Sequence, residues 1–276
     1  MQKEPINIEE VDGFYFNKDT YQPYSGQYVL YHENGREKEK GITKNGKPDG
    51  KWIGWYKNGE KKQEVHYKDG DVGKSTQWYE NGQKEWERTG YNGLYTKWYE
   101  SGKKHIKMTH KDGEMNGLCT NWYENGQKSF VGTYMDGKRH GLFSVWDENG
   151  QKMSEENYKD GKEDGLCTEW YENGQKELES TYSDGTIDGK FIRYYKNGQI
   201  EESGFYKNDI MEGKWTRWYD SGGKLLVGYF KNDEMDGEFT SWDENGQKDW
   251  EGTFKMGVLI DGEGFPSASF SQAAMG

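Results

Sequence analysis

The feature that most constrains this chain is a recurrence of glycine. Asn-Gly or Ser-Gly pairs place Gly at 35, 59, 82, 102, 126, 150, 174, 198, 222 and 246. A second glycine keeps the same steps nine residues upstream, at 26, 50, 73, 93, 117, 141, 165, 189, 213 and 237. The steps are 24, 23 and 20, and 24 thereafter. Self-similarity at such a period marks a repeat architecture in which no unit buries a core alone. Ten units therefore cover residues 26 to about 261.

With the upstream glycine as position zero, position five is Tyr31, Trp55, Trp78, Trp98, Trp122, Trp146, Trp170, Tyr194, Trp218 and Trp242. Position seventeen is mostly aromatic, through Tyr67, Tyr134, Tyr158, Tyr182, Tyr206, Phe230 and Phe254. Asp-Gly or Asn-Gly closes many units, as at Gly70, Gly113, Gly137, Gly161 and Gly185. Such pairs between runs of Trp, Tyr and Thr predict two strands of about six residues per unit. A helix is excluded: within the repeats no stretch longer than ten residues lacks Gly, and Ala is absent from them.

The Asn-Gly turn is compatible with a two-residue loop or with a three-residue loop whose Gly is left-handed, and the choice decides which side chains share a face. The bulged form places the tryptophan column beside positions thirteen, fifteen and seventeen. That face is apolar, so this register is expected, with the position-two residues Trp52, Tyr95, Phe143, Phe191, Trp215 and Phe239 opposite. The expected fold is an all-β, elongated open array of about ten 24-residue hairpin units. Residues 1–25 read as a degenerate N-terminal capping unit, 26–261 as the repeats, and 262–276 as an irregular C-terminal tail.

Composition alone points elsewhere. Leu, Ile, Val and Phe total 38 residues and the net charge is −12, values that nominally describe disorder. The 12 Trp, 21 Tyr and 11 Phe supply the missing core material once the period aligns them.

Stretches such as Gly117-Leu-Cys-Thr-Asn-Trp-Tyr-Glu-Asn-Gly126 and Gly132-Thr-Tyr-Met-Asp-Gly-Lys-Arg-His-Gly141 resemble MORN repeats, in the bacterial variant found in the YwqK-like antitoxin family. The resemblance covers ten consecutive units. It implies a non-enzymatic β-repeat protein that binds and neutralises a toxin partner, and it brings no catalytic residues with it.

The residues themselves support no chemistry. His32, His66, His105, His110 and His140 occupy five different repeat positions and do not stack. Cys119 and Cys167 lie two repeats apart, beyond disulfide reach at about 4.8 Å per strand. The acidic ladder at position seven recurs too widely to converge on calcium, which needs six to eight oxygens around one point. No metal, cofactor or catalytic group is expected.

Two readings of the tryptophan column stay open: a structural ladder, or an aromatic stripe that anchors a partner. Charge narrows the choice. Residues 1–140 hold 23 basic and 21 acidic side chains, residues 141–276 hold 14 and 28, so the second half carries a net −14. That half disfavours nucleic acid and anionic membrane and favours a basic protein. The expected partner-binding residues are Trp146, Trp170, Trp218 and Trp242 with Glu148, Glu172, Asp220 and Glu244. The leading expectation is an antitoxin- or immunity-type protein that captures a basic, toxin-like partner. The alternative is a structural or cell-surface repeat protein that scaffolds others or self-associates through its edge strands. No apolar run is long enough to span a bilayer and the N-terminus reads as no signal peptide, so a cytoplasmic location is expected.

Overall fold

The computed structural model describes residues 7–262 and divides into two compact units, residues 1–138 and 139–276. Both units are all-β. In the first, the hairpins join Gly26–Tyr31 to Glu37–Lys44, Lys47–Trp55 to Lys61–Lys68, Asp71–Trp78 to Lys84–Thr89, Gly93–Trp98 to Lys104–Lys111, and Gly117–Trp122 to Lys128–Met135. In the second they join Gly141–Trp146 to Lys152–Lys159, Lys162–Trp170 to Lys176–Ser183, Thr186–Tyr194 to Ile200–Lys207, Ile210–Trp218 to Lys224–Lys231, and Gly237–Trp242 to Lys248–Lys255. Within a unit, each return strand also pairs antiparallel with the leading strand of the next hairpin. The array of hairpin repeats expected from the glycine period is the fold observed.

Three further strands, Ile8–Val11, Phe14–Asn17 and Gln22–Pro23, precede the repeats. From them Tyr15 packs its ring 4.8 Å from Tyr28 and 5.2 Å from Trp52. At the other end Val258–Asp261 pairs with Lys248–Lys255. The tail expected at 262–276 lies, after its first residue, outside the described residues, as do residues 1–6 of the segment expected to cap the array.

The two turns of each repeat are built differently. In the Asn-Gly turn, Tyr123 N donates to Gln127 O and Gly126 N to Tyr123 O, both at 2.9 Å, which encloses a three-residue loop with Gly126 at φ 95°. Asn125 Oδ1 accepts from Gln127 N at 2.8 Å and holds that loop. The Asp-Gly turn is a two-residue type I′ loop, with Asp69 at φ 52° and Gly70 at φ 94° between the paired Lys68 and Asp71.

The three-residue loop is the one expected, but the faces are not. After Trp122↔Lys128 the ladder resumes at Asn121↔Phe130, so Ser129 is an extra residue on the return strand. The same shift recurs beside position five in every hairpin, from Tyr31 to Trp242. One inserted residue exchanges the faces of all that follows on its strand. Positions thirteen, fifteen and seventeen thereby share a face with position two, and the tryptophan column stands on the opposite face.

The core follows position two. Trp52, Phe143, Phe191, Trp215 and Phe239 are buried there, with Phe239 only 1% exposed. In the second unit the rings interleave with position seventeen: Phe191–Tyr206, Tyr206–Trp215, Trp215–Phe230, Phe230–Phe239 and Phe239–Phe254 have centroids 5.4, 5.0, 6.5, 5.4 and 5.2 Å apart. The contacts are tilted or edge-to-face, the arrangement favoured by aromatic quadrupoles. Leu226 and Trp250 at position thirteen complete this cluster.

Candidate functional site

The tryptophan face is assembled by contacts between neighbouring repeats. At position six, a tyrosine hydroxyl donates to the position-five carbonyl of the next repeat: Tyr171 to Tyr194 and Tyr195 to Trp218 at 2.7 Å, and Tyr219 to Trp242 at 2.9 Å. In the first unit Tyr56, Tyr79 and Tyr99 do the same toward Trp78, Trp98 and Trp122. The turn asparagine adds a second rung, with Asn173 Nδ2 donating to Lys196 O at 2.6 Å and Asn197 Nδ2 to Asp220 O at 2.7 Å. These rungs hold each turn against the next and fix where its tryptophan stands.

The rings are half-buried in the second unit at Trp146, Trp170, Trp218 and Trp242. Lys152 Nζ sits 5.6 Å above Trp170 and Lys224 Nζ 5.9 Å above Trp242. Lys152 also pairs with Glu155, as Lys176 does with Glu179 and Lys248 with Glu251, so three repeats of the second unit lay a clamped cation along this face. Burial works to raise the Glu179 carboxyl, but hydrogen bonds from Lys176 and Tyr194 draw it below the ordinary range. The Tyr194 hydroxyl is pushed up to about 12 by burial and by its bond to Glu179, 2.6 Å away.

Glu148, Glu172, Asp220 and Glu244 are all exposed at the tips of the three-residue turns. Among the described residues the carboxylates of Glu172, Asp220 and Glu244 accept no protein hydrogen bond. The eight residues singled out in the sequence thus form two rows on neighbouring parts of the unit, rings on one face and carboxylates at the turn tips.

Sequence reasoning missed the leucines at position one, on the tryptophan side of the leading strand. Leu142 and Leu166 are 48% and 50% exposed in the second unit. Lys190, Lys214 and Glu238 hold the same position in later repeats, and that column comparison was the available signal. Repeats six and seven therefore present Leu142, Trp146, Leu166 and Trp170 on one face, with Lys152, Glu155 and Asn157 of the intervening strand between them.

Among the described residues no three His, Cys, Asp or Glu side chains are grouped to hold a metal. Cys119 and Cys167 are buried on the position-two face, and burial, then Glu169 and Glu156, push the Cys167 thiol up to about 11. Neither is poised as a nucleophile.

An array of this kind is a β-hairpin repeat module with columns of identical side chains and no converging reactive groups. Six segments, residues 48–69, 91–112, 139–160, 163–184, 187–208 and 235–256, match the family model described as MORN repeat variant. Across much of its length the chain thus carries MORN-type repeats, folded as a β-repeat module. A comparison with curated protein sequences finds no match. Among solved structures, the chain is similar at 10% identity to chains in crystal structures of TcdB2-TccC3 and of TcdB2-TccC3-Cdc42, over 86% and 82% of its own length. It spans only 15% of each of those chains, at TM-scores of 0.22 and 0.20.

Proposed function

We propose that this chain is a protein-binding module of the antitoxin or immunity type, which captures a basic partner on its second unit. The observation that carries the reading is the coincidence of the −14 half with the exposed Leu142 and Leu166, which share a face with the half-buried Trp146 and Trp170. Exposed carboxylates at Glu148, Glu172, Asp220 and Glu244 steer a cationic surface toward the unit, and the leucine and tryptophan side chains supply short-range apolar contacts that long-range charge cannot. The resemblance to YwqK-like antitoxins makes a basic toxin, such as a nuclease, the first partner to try.

Titration of the full chain with the product of the neighbouring gene tests this. The expected result is a complex whose affinity falls as salt rises from about 50 to 300 mM. Leu166→Lys is expected to weaken it at least tenfold without moving the melting temperature by more than a degree or two. Absence of a complex, or one indifferent to both salt and Leu166→Lys, refutes the reading.

Self-association is a second reading, favoured by the strand Val258–Asp261, where Val258 and Ile260 are 62% and 63% exposed. Strands of this kind pair with a second copy unless covered. Sedimentation over a concentration series decides it: a monodisperse monomer at high concentration excludes assembly.

A further inference from the structure

The aromatic interleaving of the position-two face is broken at several places in the first unit, at Thr43, at Ser75 and Gly90, and at Cys119, and the break before Tyr95 leaves a groove. Tyr95 holds position two of the fourth repeat and meets His110, position seventeen of the same repeat, edge-to-face at 6.3 Å. The ring that should flank it from the preceding repeat is absent, because the third repeat is only 20 residues long and carries Gly90 at position seventeen. In the second unit the equivalent places are filled, by Tyr206 against Trp215 at 5.0 Å and Phe230 against Phe239 at 5.4 Å.

On the same face, beside Tyr95, lies an open cavity of about 380 Å³ lined by Trp86, Arg88, Tyr95, Met108 and His110. Its size falls within the range of small-molecule sites. Trp86 lies 6.4 Å from Tyr95 at an interplanar angle of 28°, which gives the cavity an aromatic wall.

The polar lining is particular to this place. Position fifteen is Gly in five repeats but Arg88 here. Arg88 Nε donates to Gly90 O at 2.8 Å and an Nη2 N–H to Tyr91 O at 3.0 Å. These bonds hold the guanidinium against the short 90–92 loop and leave three N–H donors without a protein acceptor. His110 Nδ1 is buried and has no hydrogen-bond partner. Lys97 extends the cationic character of the face from the position paired with Trp86. The nearby acid, Glu85, lies beyond Trp86 along the strand and is bonded by Gln77 Nε2 at 2.7 Å.

We infer that this cavity is a binding site for a planar aromatic ring carrying a carboxylate, the ring packing against Trp86 and Tyr95 and the carboxylate meeting Arg88. The site belongs to the first unit and is independent of the capture proposed for the second. The same chemistry is offered by a free aromatic acid and by the C-terminal aromatic residue of a partner chain.

Calorimetric and saturation-transfer titrations of the full chain with indole-3-acetate, indole-3-acetamide, and Gly-Gly-Trp with a free or amidated C-terminus test the inference. At least one carboxylate probe is expected to bind, about tenfold or more tighter than its amide, the usual scale of one charge-assisted hydrogen bond. Arg88→Gln is expected to level acid and amide. Met108→Trp, which fills the cavity, is expected to abolish binding of both acid and amide, and its melting profile, read alongside, shows how much fold stability the larger ring costs. Tighter binding of the peptide identifies a partner's C-terminus as the source, and equal or tighter binding of indole-3-acetate identifies a free acid. The inference is overturned if neither carboxylate probe saturates at millimolar concentration, or if Arg88→Gln leaves the acid-to-amide ratio unchanged.

Discussion

At the level of single residues, the fold is kept by size matching between position fifteen of one repeat and position two of the next. A β-carbon at Gly41, Gly204 or Gly228 would fall inside the ring of Trp52, Trp215 or Phe239. Where position two is small, position fifteen is large: Val65 meets Ser75, Met108 meets Cys119 and Glu156 meets Cys167. These side chains stand on the same face of adjacent strands, so a large one at either position leaves room for a small one at the other, Arg88 against Tyr95 being the exception. Gly204→Val is therefore expected to destabilise the second unit by roughly 1–3 kcal/mol or more, the usual cost of overpacking. Adding Trp215→Ser recreates the Val65–Ser75 pair and is expected to recover part of that loss, a coupling that a double-mutant cycle of chemical denaturation measures. Strict additivity of the two losses would show that the sites do not compensate.

At the level of the hairpin, the pitch and the turn loops were legible and the register was not. Gly126 and its counterparts announce a loop with a left-handed residue, and Asp69-Gly70 announces a type I′ turn, because few residue types tolerate those dihedrals. The extra residue on each return strand has no such signature. It is Glu85, Ser129, Glu177 or Leu225 in different repeats, since a bulged residue of this kind needs no special dihedral. The tryptophan column was accordingly expected on the core face, whereas the glycine-against-ring pattern at positions fifteen and two held the information to place it correctly. The bulge also sets which charges meet. In the hairpin Lys47–Trp55 to Lys61–Lys68, Glu64 receives Lys51 at 3.0 Å, Lys61 at 2.8 Å and His66 at 3.1 Å. Burial opposes ionisation of Glu64, but these donors win and hold its carboxyl down at about 2. A carboxyl lowered on folding contributes stability that is complete above its unfolded value near 4.5 and is lost as pH falls from there toward 2. Glu64→Gln is thus expected to cost on the order of 1–2 kcal/mol at pH 7, after discounting for the exposure of the lysines, and almost nothing at pH 2. Hydrogen exchange of residues 47–68 across that range reads the difference, and a pH-independent gap would remove the ion cluster as its cause.

For the whole molecule, the two units share one repeat and differ in charge, so their responses to salt separate what the repeat contributes from what the charge contributes. Hairpins stabilised by neighbours should respond alike if packing alone matters, because the aromatic row and the tyrosine rungs are uncharged. The acidic residues of the second unit add like-charge repulsion at the tips of the three-residue turns, at Glu148, Glu172, Asp220 and Glu244, and less at the other turn row, where Asp184 pairs with Lys162 and Asp160 lies beside His140. Repulsion of this kind destabilises a compact state and is screened as the Debye length shrinks from about 30 Å at 0.01 M to about 8 Å at 0.15 M. The tryptophan face is less affected, since Lys152, Lys176 and Lys248 pair there with Glu155, Glu179 and Glu251. Residues 139–262 are therefore expected to gain protection against hydrogen exchange between 0.01 and 0.15 M sodium chloride, most strongly in the turns, while residues 26–138 change little. Exchange measured peptide by peptide on the full chain resolves the two. A uniform response would mean that the −14 half is dispersed enough to be screened already, and would weaken the case that its charge was gathered to receive a basic partner.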